Sequence, residues 1–305
     1  KMRKFFSMLV ILSMLTVSFM VIGCDTAKPE TTTTTTTVAS TTTIPATTTT
    51  STTSTTTTTT ISISSVLYKD MASISGGTYT QTDGTTSFSH TITGFQMGKY
   101  EVTYELWYTV RQWAISNGYT FANAGREGQD GTAGASPTSA KYEPVTTVNW
   151  RDTIVWCNAY SEMTGLTPCY NYSSATIKDS TNATACDNAV CNWTATGYRL
   201  PTEGEWQYVA SNKGLTPYNY ASGATADYNN ATATGLVAWY NVNSYSSTKT
   251  VGTKTANALG LYDMSGNVYE WNWDWYGSYT TTAKTDNRGA ATGSLRLLRG
   301  GSWYF

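Results

Sequence analysis

The sequence predicts an α+β fold built from a few short helices, small antiparallel sheets and much irregular chain. Three observations carry this. Charged residues make up only 13% of the chain and aromatic residues another 13%, a balance that favours short strands, turns and ring packing over long solvated helices. Two stretches show helical apolar spacing directly behind a capping residue. Elsewhere, strand-like runs are cut short by glycine and asparagine turns.

The elements follow in order. Residues 74–79 and 90–97 read as early strands, with a turn at Asp83-Gly84 between them. Thr103 can cap a helix over 104–116 that stops at Asn117-Gly118, with Leu106, Val110 and Trp113 on its buried side. Residues 125–139, rich in Gly and Ala, predict a surface loop. Asn149 can cap a second helix over 150–163 that closes at Gly165. Asp152 near its start suits the helix dipole, and Ile154, Trp156, Cys157 and Tyr160 form its apolar side. A polar insertion spans 171–192. Further on, Thr202 and Glu205 have the spacing of a capping box. Glu203 and Glu205 can also be read as an acid/base pair, and the capping reading is preferred. Residues 237–240 (Val-Ala-Trp-Tyr) predict another strand.

The first 65 residues differ in character from the rest. Lys1, Arg3 and Lys4 precede an apolar run over 5–22 that ends at Gly23-Cys24. Residues 1–24 thus have the charged, apolar and small-residue parts of a secretory signal. An uncleaved anchor of about 20 apolar residues would also fit, marginally. Val21-Ile22-Gly23-Cys24 resembles a bacterial lipobox, which implies lipidation at Cys24 and an exported, surface-exposed protein tethered to a bacterial membrane. Residues 25–65 are dominated by a Thr-rich tract that cannot bury a core and predicts an extended, disordered stalk. Residues 66–305 form the folded domain. The net charge of -1 gives no electrostatic case for nucleic acid.

In an exported domain disulfides can persist. Cys186 and Cys191 share one loop and are the preferred disulfide pair, while Cys157 and Cys169 either form a second bridge or stay as buried thiols. The spacing does not resemble a zinc ribbon. His90 is the only histidine, which excludes three-histidine metal sites and leaves His-dependent nucleophilic catalysis to that one residue. It is read as a strand residue.

The stretch Gly260-Leu261-Tyr262-Asp263-Met264-Ser265-Gly266-Asn267-Val268-Tyr269-Glu270-Trp271 joins two carboxylates through a glycine turn. Hard oxygen donors on a tight loop suit Ca2+. A plain β-turn between buried strands is the competing reading. With Gly98-Lys99-Tyr100-Glu101-Val102-Thr103, Pro144-Val145, Gly197-Tyr198-Arg199-Leu200-Pro201-Thr202-Glu203 and Leu298-Arg299-Gly300-Gly301-Ser302-Trp303, this stretch resembles the formylglycine-generating, or sulfatase-modifying factor, family. The resemblance covers about residues 70–305. It implies a C-type lectin-like fold and one structural Ca2+, held by the side chains of Asp263 and Glu270 and the carbonyls of Gly266 and Val268.

Family enzymes bind copper through two cysteines just beyond the Gly-Gly-Ser motif. Phe305 falls at the first of those positions, and Phe has no thiolate. The resemblance also implies that the domain continues past Phe305, so the chain reads as truncated. Three functions remain open. One is a non-catalytic surface protein for a protein or glycan ligand, with Trp303, Tyr304 and Phe305 as a candidate variable face of the kind diversified by retroelements. Another is a copper-dependent oxidase cut before its cysteines. The third is an accessory envelope lipoprotein.

Overall fold

The computed structural model describes residues 17–23 and 63–305. The expected stalk tract and Cys24 lie outside the described residues. Two short strands come first, β1 (Val17–Ser18) and β2 (Ile22–Gly23). They are followed by β3 (Met71–Ile74), β4 (Gly77–Thr82), β5 (Ser87–Ile92) and β6 (Phe95–Gly98). The two runs read as single early strands are therefore each broken. The reason is a close crossing: a Cβ on Gly76 would lie 2.5 Å from Ile92 O, and one on Gly94 would lie 3.1 Å from Ile74 O. The hairpin turn stands as expected. Asp83 Oδ1 accepts from the Thr85 and Thr86 N–H groups at 2.8 and 2.6 Å, and Gly84 has φ 88.

Helices α1 (Tyr104–Ser116) and α2 (Trp150–Met163) have the predicted limits. Thr103 accepts from Leu106 N at 3.2 Å. Asn149 and Asp152 close a reciprocal capping box. The helices pack through Trp107 and Trp156, whose rings stack 5.8 Å apart at 6°. Between them lie β7 (Arg126–Glu127) and β8 (Val145–Thr146), a short antiparallel pair. The polar insertion is ordered: β9 (Tyr170–Tyr172), β10 (Ala175–Thr176), α3 (Ala183–Asp187) and β11 (Val190–Cys191) build a sheet of order β10-β9-β11.

Helix α4 (Glu203–Ala210) starts at the expected Thr202–Glu205 box. Glu205 also pairs with Arg199 at 2.7 Å and Glu203 with Arg299, so neither is a free acid or base. The predicted strand over 237–240 is not formed. Val237 instead ends helix α5 (Ala231–Val237), because Asn230 Oδ1 accepts from Ala233 N at 3.0 Å and starts a helix that overrides local β preference. The chain closes with β12 (Tyr269–Trp275), β13 (Lys284–Thr285) and β14 (Arg296–Arg299). The remaining sheets have orders β1-β12-β14, β13-β5-β4 and β2-β6-β3. They are small, as expected, but β1–β12 and β13–β5 pair in parallel.

Two large apolar clusters form the core. One surrounds α1 and α2; the other lies between α4, β3 and the loop at Leu261 and Met264. Residues 18–23 are buried between them. Part of the apolar leader thus packs against the domain. The expected Cys186–Cys191 disulfide is not formed: both thiols are free and buried. Cys186 lies on α3 with its thiol 3.5 Å from Asp179 O. Cys191 lies on β11 beside Cys157 and Cys169, each of which acts electrostatically on it or is acted on by it. The loop they share in sequence thus directs them to different surroundings. Burial pushes all of Cys157, Cys186 and Cys191 up, which leaves them unreactive thiols.

Candidate functional site: an acidic loop beside an aromatic cleft

Strand β12 alternates half-buried and buried residues, which points Glu270, Asn272 and Asp274 inward. The loop before it has four left-handed residues: Gly260 at φ 78, Asp263 at φ 56, Gly266 at φ 85 and Asn267 at φ 55. Glycine is required at 266, where a Cβ would meet Trp239 O at 2.2 Å. The turn is fixed by Gly266 N donating to Gly300 O at 2.8 Å and Asn267 N donating to Trp239 O at 2.7 Å. It is also held from the far side of the chain. Glu101 accepts from Asn267 Nδ2 at 2.7 Å and from Val268 N at 3.1 Å.

Three carboxyls therefore share one buried place. Burial raises Asp263 to about 6, against the N–H of Gly252 and the charge of Lys254. Burial raises Glu270 to about 8, although Trp206 Nε1 donates to its Oε2 at 3.0 Å. Glu101 is raised by burial and then by Asp263 and Glu270. Like charges this close and this dry favour either protons or a cation.

The remaining acceptors decide the fit for a cation. Asp263 Oδ1 and Glu270 Oε1 are buried without hydrogen-bond partners, an expensive condition for a carboxylate oxygen. A Cβ placed on Gly300 would meet Glu270 Oε1 and Val268 O at 3.6 Å each, and Met264 O at 3.8 Å. These oxygens thus face one small space that the glycine leaves open. Among the described residues, no group of three or more His, Cys, Asp or Glu side chains could hold a metal ion. An ion here would need main-chain carbonyls, and those are the donors that hard cations accept. Of the four residues expected to act together, Glu270 and Val268 converge and Asp263 is coupled to Glu270 electrostatically. Gly266 is placed by its N–H and its close approach to Trp239.

The loop also forms one wall of a cleft. Gly266, Gly300 and Ser302 line a space of about 380 Å³ together with Tyr220, Tyr228, Tyr240 and Phe305. Tyr228 and Phe305 are 63% and 62% exposed. Of the expected variable face, Tyr304 and Phe305 are exposed, but Trp303 is not. Its backbone N–H donates to Asn267 O at 2.8 Å, which ties it to the loop, and its side chain is buried. Sequence reasoning missed Glu101, Met264 and Trp206 as parts of the site. Glu101 and Met264 stand inside quoted motifs, while Trp206 carries no local signal.

A family model described as a sulfatase-modifying factor enzyme 1-like domain matches residues 57–305. The chain belongs to this family. Its domain is 32% identical to Chaperone protein LppX of Paenibacillus barcinonensis over 260 residues, covering 77% of this chain and 78% of that protein. It is 33% identical to the formylglycine-generating enzyme of Thermomonospora curvata over 133 residues, which covers 38% of this chain and 42% of that enzyme. Among solved structures, Treponema denticola variable protein 1 has a TM-score of 0.59 at 29% identity, covering 77% of this chain and 84% of that one. The family's lectin-like fold is thus the fold of this chain. In this member all four described cysteines lie away from the cleft, whose lining includes none.

Proposed function

We propose that this chain is an exported, lipid-anchored protein that binds a protein or glycan ligand through the aromatic cleft without catalysing a reaction. The supporting observation is that the cleft wall includes Ser265 and Gly266 of the acidic loop, together with Gly300, whose carbonyl accepts from Gly266 N. A Ca2+ held by Asp263 and Glu270, the Gly266 and Val268 carbonyls and Met264 O would keep the carboxyls ionised and the wall rigid. Tyr228, Tyr304 and Phe305 offer flat, amphipathic contact area at low entropic cost, as binding faces do. The likeness to a variable protein supports diversification at Tyr304 and Phe305. Copper oxidation of a cysteine peptide is the less supported reading, since the phenyl ring of Phe305 cannot ligate copper. Attachment through Cys24 places the cleft outside a bacterial membrane; among the described residues no helix is long and apolar enough to cross one.

The test is calorimetry of the full chain with Ca2+ or chelator, alongside glycan and surface-protein arrays. Ca2+ should raise the melting temperature and tighten array binding, and Glu270→Gln should remove both responses. Tyr228→Ala should reduce array binding with little change in melting. A melting temperature blind to Ca2+, or copper-dependent oxidation of a cysteine peptide, would overturn the reading.

A further inference from the structure

The segment 18–23 is buried throughout, and its side chains alternate between the two cores. Phe19 and Val21 join the α1–α2 cluster; Met20 and Ile22 join the α4 cluster. Phe19 packs edge-on against Trp156 at 5.1 Å and Trp107 at 6.0 Å. Both backbone edges are used. β1 pairs with β12, where Ser18 stands opposite Glu270, and β2 pairs with β6. Ile22 and Arg199 exchange N–H···O bonds of 2.8 and 2.9 Å, Gly98 N donates to Val21 O at 2.8 Å, and Val102 N donates to Phe19 O at 2.8 Å. Leaving this position empty would strand the Gly98, Val102 and Arg199 N–H groups in the interior and expose two apolar faces.

The same residues read as the end of an export leader, without a polar side chain from Phe19 to Gly23 and followed by Cys24. A strand buried on both faces needs such a run, and so does a leader. We infer that the domain contains a strand-acceptor slot between β12, β6 and Arg199 that takes an extended, uncharged apolar peptide, filled in this chain by its own residues 18–23. Main-chain bonds on both edges supply affinity, and four successive apolar side chains supply selectivity, as in β-strand addition. Loss of the leader at Cys24 would leave the slot to a second strand of the same pattern.

The test uses the full chain with a specific protease site inserted between Thr50 and Ser51. After cleavage, the leader piece should co-elute with the domain. An excess of synthetic peptide of residues 16–23 should displace it and raise the melting temperature with concentration. The same peptide carrying Phe19→Asp and Ile22→Asp should compete more than about a hundredfold less well, since a buried charge is strongly disfavoured. Separation of the leader piece with unchanged melting of the rest would overturn the inference. So would equal competition by the charged peptide, or unfolding on separation that the apolar peptide does not reverse.

Discussion

The α1–α2 layer and the loop around Asp263 and Glu270 solve burial in opposite ways. In the helical layer, Trp107, Trp156, Tyr104 and Ile154 are fully buried members of one apolar cluster, with the two indoles stacked, and the helix starts are closed by Thr103, Asn149 and Asp152. In the loop, the buried groups include carboxyls, and the partners come from distant points: Trp206 and Gly252 donate to Glu270 and Asp263, while Glu101 and the Gly300 carbonyl accept from loop N–H groups. The first region is stabilised by apolar area. The second is stabilised only if each acceptor is satisfied, and two oxygens are not. The two regions therefore differ in what burial leaves behind: the helices bury apolar area, and the loop buries two carboxyl oxygens without hydrogen-bond partners.

Substitutions in the two regions can break that comparison. The largest effect is expected at Trp107→Ala, which removes a stack with Trp156 and a bond from Nε1 to Ala124 O at 2.8 Å. It should cost about 3–5 kcal/mol in urea unfolding, with no change in the response to Ca2+. A cost below about 1 kcal/mol would deny the layer its structural part. Glu101→Gln comes next. It keeps the shape but sets an amide donor where both partners, Asn267 Nδ2 and Val268 N, also donate. A cost of about 1–3 kcal/mol is expected, together with a weaker Ca2+ shift; an unaltered shift would separate Glu101 from the loop.

A smaller effect is expected at Thr202→Ala, which removes the α4 cap on Glu205 N and should cost about 1 kcal/mol, measured the same way. The smallest concerns His90. Burial pushes its imidazole down to about 4, with Asp286 and Glu205 opposing and Lys284 and Arg288 adding to the shift. It bridges Gln81 and Asn287 N. An unfolded histidine titrates near about 6.5, so the folded state binds fewer protons. This part of the stability is complete above that value and is lost as pH falls toward 4. His90→Gln should flatten the pH–stability curve in that window, and an unchanged slope there would assign the window to other groups.

Much of this was legible along the chain. The limits of α1 and α2 followed from caps and apolar spacing, both local signals. The acidic loop was legible as a motif, because its glycine and its two carboxyls are close in sequence. The misreadings have one cause. The 237–240 strand yielded to a cap seven residues upstream of Val237. Cys186 and Cys191 were parted by a short helix. Trp303 was turned inward by Asn267. Each outcome depended on a neighbour that spacing does not reveal.

The sequence by itself determined the helices, the hairpin at Asp83-Gly84 and the identity of the acidic loop, since the forces there act within a few residues. Only the tertiary structure decided that Glu101 and Trp206 hold that loop, that the loop walls an aromatic cleft, and that residues 18–23 join two cores. Those facts rest on hydrogen bonds and apolar contacts between points far apart in the chain, and such pairings form only once the whole body has closed around them.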